Sequence, residues 1–106
     1  GESVFIPTGL AMELPIGFAG LIYARSGLAC KRGLAPANKV GVIDSDYRGE
    51  ICVGLINQLK EPYTIQPDER IAQLVIMPVS LITPVEAESL DETERGAGGF
   101  GSTGKS

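Results

Sequence analysis

The chain has 106 residues, enough for one domain with a modest core, and its 9 Lys+Arg against 13 Asp+Glu leave a net charge of −4. That balance argues against a nucleic-acid or membrane surface, so an anionic ligand must be held by a few placed arginines and backbone N–H groups. No histidine occurs, which removes Ser-His-Asp triads, histidine bases and histidine-ligated zinc together.

Seven Pro, fourteen Gly and many short β-branched runs point to an all-β chain. An apolar fraction of 43% in so small a fold would be better buried if copies associate. The neighbours of Cys30 and Cys52 predict two small buried hydrophobes, free rather than disulfide-bonded. No signal-peptide core or membrane-length apolar run is found, so a reduced, cytoplasmic protein is expected.

Two short strands are predicted first, at Val4–Ile6 and Ala11–Leu14, then a turn at Pro15-Ile16-Gly17. A third strand, Ala19–Ala24, delivers Arg25-Ser26-Gly27 at its end. Ser26 caps a brief helical turn through Leu28-Ala29-Cys30-Lys31, with Gly33 as its stop. Ser26, the N–H groups at the start of that turn and the Arg25 charge make a small anion site. Standing alone, such a tripeptide is equally a capped turn with an exposed arginine.

Asn38 to Glu50, NKVGVIDSDYRGE, runs from an apolar segment (Val40, Val42, Ile43) to Asp44-Ser45-Asp46-Tyr47-Arg48-Gly49, and a second apolar run, Ile51 to Ile56, follows at once. The pattern predicts a β-hairpin whose tip carries two carboxylates, an aromatic and an arginine on a rigid support. From spacing alone this is also a solvated turn. Both faces of Glu50 to Asn57 are apolar, which suits a strand buried on each side. Gln58 to Asp68 reads as a loop. Arg70 to Met77, RIAQLVIM, is the most hydrophobic strand, and Ser80 to Glu86 is a last one.

Ala87 to Glu94 is an acidic connector with Glu88, Asp91, Glu92 and Glu94, read as a solvated linker. Arg95 to Gly104, RGAGGFGSTG, has five glycines in ten residues and reads as a flexible arm. Gly99 to Ser106, GFGSTGKS, satisfies the Walker A pattern. A P-loop works only between a strand and a helix. Here an acidic linker precedes and Ser106 is the last residue given, so no Walker fold is expected.

Four of these stretches, in order, resemble motifs of the trimeric dUTPases. Gly17 to Gly33 with its Arg-Ser-Gly-Leu core resembles the second, Asn38 to Glu50 the third, Glu69-Arg70-Ile71-Ala72-Gln73-Leu74 the fourth and Arg95 to Gly104 the fifth. Asp68 stands where family members usually carry glycine. The resemblance implies a distorted jelly-roll β-barrel of short strands with at most one short helical turn: a core over 1–86, a linker over 87–94 and an arm over 95–106 that closes a neighbouring subunit's site. It further implies a homotrimer with shared sites that hydrolyses dUTP to dUMP and pyrophosphate, with Mg2+ held mainly by the substrate phosphates and water.

By the same resemblance Asp44 activates the attacking water, with Arg95 and Gln73 as further catalytic groups. Tyr47 stacks under the deoxyribose and excludes a 2′-hydroxyl. Asn38 and hairpin backbone groups, Val42 included, hydrogen-bond the uracil edge. Arg25, Ser26, Gly27 and Gln73 hold α- and β-phosphate oxygens, and Arg70 joins the substrate contacts. From the arm, Phe100 and Gly101 cover the base while Arg95, Ser102 and Thr103 grip the γ-phosphate end.

The family's first motif, Ala-Gly-x-Asp-Leu, has no counterpart, and the sequence begins just downstream of its place. A piece of a longer chain and a short member both fit that. Two alternatives to hydrolysis stand beside it. One is a non-catalytic dUTP-binding or regulatory module. The other is dCTP deaminase, which shares the fold but needs a glutamate where this chain has Gly54.

Overall fold

The computed structural model describes residues 1–101. These are nearly all β: β1 (Ser3–Pro7), β2 (Phe18–Tyr23), helix α1 (Ser26–Arg32), β3 (Leu34–Pro36), β4 (Gly41–Ile43), β5 (Cys52–Asn57) and β6 (Gln73–Pro78). They form two antiparallel three-stranded sheets, ordered β1-β5-β3 and β4-β2-β6. The architecture agrees with a jelly roll, although the sheets do not close into one continuous barrel among the described residues.

The core lies where the sheets face each other. Ile22 of β2 and Ile43 of β4 meet Ile51, Val53 and Leu55, with Ile6, Met12, Ile65, Ile71 and Ala72 packed around them. Leu55, on the central strand of its sheet, is 0% exposed. Leu55→Ala should therefore cost about 2–5 kcal/mol through the cavity it leaves. A lowered urea midpoint at unchanged slope would report that loss, and an unmoved midpoint would contradict it.

Several expectations hold. Phe18 N–H donates to the Pro15 carbonyl at 3.2 Å and Gly17 takes φ 93°, as a type II turn requires. Gly33 ends α1 in the left-handed region at φ 70°, its N–H returning to the carbonyls of Ala29 and Leu28. A Cβ there would also lie 2.5 Å from Leu59 Cγ, so the following loop packs where only glycine leaves room.

Others do not. Asn38 to Ile56 is not a hairpin: β4 pairs with β2, while β5 pairs with β1 and β3. Ile43 on one run and Val53 and Leu55 on the other all point into the core, so the runs face each other across it instead of pairing edge to edge. The Asp44–Gly49 link crosses from one sheet to the other. Strand β5 is buried on one face only, with Cys52 exposed. Cys30 is exposed as well, and both thiols are free. Arg25, not Ser26, is the N-cap, with no side-chain cap bond. Ala11–Leu14 forms no strand, whereas Leu34–Pro36, unforeseen, forms a short edge strand where proline costs no central ladder bond.

Ser80 to Glu86 is not a strand either; Pro84 interrupts it and no partner strand lies alongside among the described residues. Past Val79, whose N–H reaches the Gly17 carbonyl at 2.8 Å, the chain runs exposed away from the core. Its radius of gyration is 18.8 Å, against about 13 Å for a compact chain of this length. Strand β6 is an apolar edge strand with every residue exposed, Ile76 at 52%. Among the described residues no helix is long and apolar enough to cross a membrane.

Candidate functional site

The cross-sheet link carries the first cluster. Asp44 follows directly on buried Ile43, so its backbone leaves a fixed point of the core. Tyr47 N–H donates to the Asp44 carbonyl at 3.1 Å and closes a tight turn. Arg48 reaches back to the Ser45 carbonyl at 2.6 Å and lies 4.0 Å from Glu13. That exposed ion pair adds little energy, but the bond to Ser45 spans the turn. The Tyr47 hydroxyl donates to the Glu50 carbonyl at 2.8 Å. Its ring lies so close over Gly49 that a Cβ there would stand 2.5 Å from the hydroxyl oxygen.

A cavity of about 300 Å³ opens beside this turn, lined by Asn38, Val42, Asp44 and Tyr47, and also by Phe5 and Glu50. The first four are the residues expected to meet base, sugar and attacking water, and they share this one space. The Asp44 carboxylate makes no hydrogen bond with another described residue, so it is free to hold a water. An apolar cavity of about 270 Å³ adjoins it, sharing Phe5, Asn38 and Gly41.

The second cluster lies at the start of α1. Arg25, Ser26, Gly27 and Gln73 line a separate cavity of about 280 Å³. The pairing of β2 with β6 sets Gln73 opposite Tyr23, and the Gln73 amide donates to the Ala24 carbonyl at 2.7 Å. One donor, one cation and one hydroxyl thus face a small polar space suited to phosphate oxygens.

The turn before β6 is held by Glu69. Its carboxylate accepts from the Tyr63 hydroxyl at 2.5 Å and from Gln66 N–H at 2.9 Å, which lowers its pKa, while the same Glu69 bond raises that of Tyr63. The Arg32 guanidinium sits over the Tyr63 ring at 5.7 Å. Asp68, in place of the family's glycine, adopts φ 62°. The position does need a left-handed residue, and aspartate is among the few others that tolerate it. Arg70 is exposed beyond this turn and lines neither cluster.

Arg95 donates to the Gly98 carbonyl at 2.5 Å, and Gly98 N–H returns to the Arg95 carbonyl at 3.0 Å, so the arm opens with a self-contained turn. Phe100 is wholly exposed at φ 50°, followed by Gly101 at φ 84°. Neither lines the cavities of the two clusters. Ser102 and Thr103 lie outside the described residues.

Sequence reasoning missed Phe5, Thr8, Gly9 and Glu50 as companions of the site. Gly54 offered a signal for Phe5, because glycine inside a strand often marks close approach by a neighbour. Phe5 pairs opposite it and lays its ring 3.6 Å from where a Cβ would be. Thr8 and Gly9 offered none, since they meet Glu50 and Ile51 only through tertiary pairing.

A family model described as dUTPase matches residues 1–104. The chain is similar to the deoxyuridine 5'-triphosphate nucleotidohydrolase of Desulfitobacterium hafniense (strain DSM 10664 / DCB-2), 60% identical over 107 aligned positions that cover 100% of this chain and 71% of that protein. Among solved structures it is similar to the dUTPase from Streptococcus mutans, at 33% identity and a TM-score of 0.73 over 79% of this chain and 70% of that one. The dUTPase of Staphylococcus bacteriophage 80alpha with dUPNHPP superimposes with a TM-score of 0.75 at 26% identity, over 98% of this chain and 82% of that one.

Proposed function

This chain belongs to the dUTPase family, and we infer from the placement of its side chains how it acts on dUTP. It is a dUTP diphosphatase, releasing dUMP and pyrophosphate. The observation that carries the mechanism is the single cavity shared by Asn38, Asp44 and Tyr47. Asp44 accepts a proton from a water aimed at the α-phosphorus. In a chain without histidine, a well-placed carboxylate supplies the base, and placement matters more than basicity. Asn38 and the backbone around Val42 read the uracil edge. A cytosine would present donors where acceptors are needed and leave buried groups unpaired.

Arg25, Ser26, Gly27 and Gln73 take the α- and β-phosphate oxygens, Arg70 adds a more distant positive charge, and Arg95 with Ser102 and Thr103 holds the γ-phosphate end. Phe100 and Gly101 close over the base. The magnesium in this proposal is part of the Mg-dUTP substrate and rides on the triphosphate. Among the described residues no group of three or more His, Cys, Asp or Glu forms a metal cage. Deamination is a poor fit, because Gly54 supplies no carboxylate beneath Phe5.

The functional unit we propose is a cytoplasmic homotrimer. The two clusters line separate cavities in one copy, β6 leaves an apolar face uncovered, and the arm extends past its own core. Association would bring base and phosphate sites of different copies together and let the arm of a third close them. Sedimentation at micromolar concentration should show a trimer; a stable monomer would count against shared sites.

Incubation with dUTP, dCTP and UTP in turn, with magnesium, tests the reaction itself. Pyrophosphate should appear from dUTP alone. Absence of turnover would favour the binding-only alternative. Tyr47→Ala should lower the preference for dUTP over UTP by about 10- to 200-fold, the range for shape discrimination at one wall of a pocket. An undiminished preference would move the sugar filter elsewhere.

A further inference from the structure

The turn that carries Asp44 and Tyr47 is anchored at its far end by a loop from a distant part of the chain. Gly9 N–H donates to Glu50 Oε2 at 2.8 Å, across forty-one positions of sequence. The Thr8 hydroxyl and backbone N–H both donate to the Ile51 carbonyl, at 2.6 and 3.1 Å, and Ile51 N–H donates to the Leu10 carbonyl at 2.7 Å. Leu10 N–H in turn donates to the Thr8 hydroxyl at 3.2 Å. Residues 8–10 therefore grip residues 50–51 from both sides. The same Glu50 whose side chain is gripped offers its carbonyl to the Tyr47 hydroxyl.

We propose that Glu50 is a positioning residue for dUTP selection, its carboxylate locking onto Gly9 so that its carbonyl holds the Tyr47 ring where the sugar must rest. This rests on the reading of Tyr47 given above. Glu50 lines the same cavity as Asp44 and is a second carboxylate there. It does not duplicate Asp44, because Glu50 Oε2 is already committed to a backbone donor. With the carboxylate gone, the Gly9 N–H loses its partner, and of the turn's ties to residues 8–10 only the Ile51 bonds remain. The ring, pinned at its hydroxyl by the Glu50 carbonyl and pressed on Gly49, then shifts with that carbonyl. A displaced ring admits a 2′-hydroxyl that the aligned ring excludes.

The test is the ratio of kcat/KM for dUTP over UTP, measured in the full chain beside thermal unfolding. Glu50→Ala should lower that ratio by about tenfold or more. Glu50→Gln keeps an acceptor for Gly9 and should hold the ratio within about threefold of the parent. Thr8→Val, which removes the other side-chain grip at little change in volume, should move the ratio in the same direction as Glu50→Ala, and it carries the test if Glu50→Ala does not fold. A merely structural role would lower the unfolding temperature and leave the ratio unchanged. An unchanged ratio in folded Glu50→Ala or Thr8→Val, with a parent that hydrolyses dUTP, overturns this proposal alone. A parent that releases no pyrophosphate overturns the functional reading and this proposal with it.

Discussion

Asp44→Asn should abolish most dUTP turnover, by about 10²- to 10⁴-fold in kcat, while dUTP still binds with an affinity close to the parent's. The substitution replaces a carboxylate with a neutral group of nearly the same shape, so the Tyr47 bond to the Asp44 carbonyl and the packing of Ile43 beneath it persist. What disappears is the one group in the cavity placed to take a proton. Glu50, the other carboxylate there, is occupied by Gly9, and no histidine exists to substitute. Pyrophosphate release and calorimetric titration with a non-hydrolysable dUTP analogue would be measured on the same preparation. Retained turnover would show that Asp44 is not the base. Lost binding together with lost turnover would assign it to holding the substrate.

The local chemistry of the site was legible in the sequence to the extent that it is local. Arg25, Ser26 and Gly27 are consecutive, and Asp44 and Tyr47 belong to one tight turn; short-range spacing places each set together before any tertiary contact forms. Gly17 and Gly33 were readable for the same reason, since positive φ leaves its mark on residue type. The partner of each apolar run was not legible. The link at Asp44–Gly49 has the composition of a hairpin turn, yet its flanking strands take partners 19 to 53 positions away because both send side chains into one core. Turn residues specify a change of direction. They do not specify which edge the chain meets next.

Exposure was misread where apolar composition stood in for burial. Cys52 alternates with Val53 and Leu55, and a strict period of two puts it on the opposite face from them. RIAQLVIM is the most hydrophobic run, yet its strand, β6, lies at a sheet edge and is uncovered. Apolar residues that a single copy cannot bury are what an associating chain would carry. The exposed residues of β6 are among those that motivate the proposed trimer.

Deleting Arg95 to Ser106 should lower turnover by about 10²- to 10³-fold, the scale of losing charge-stabilising donors at a reacting phosphate, while moving the unfolding temperature by no more than about 4 °C. Up to Gly101 the arm contacts itself through Arg95, Gly98 and Thr93, and Phe100 is wholly exposed, so removing these described residues takes nothing from the core. A large fall in unfolding temperature would mean that the arm is part of the fold. The sharper measurement mixes this truncated chain with full-length Asp44→Asn, co-refolded so that subunits exchange. On the proposed roles each should be nearly inactive alone, the first lacking an arm and the second lacking its base. If the arm of one copy closes the site of another, the Asp44→Asn chain lends its arm to the intact Asp44 of the truncated chain, and turnover returns in the mixture. If each arm folds back on its own site, no combination contains a complete one, and the mixture stays silent.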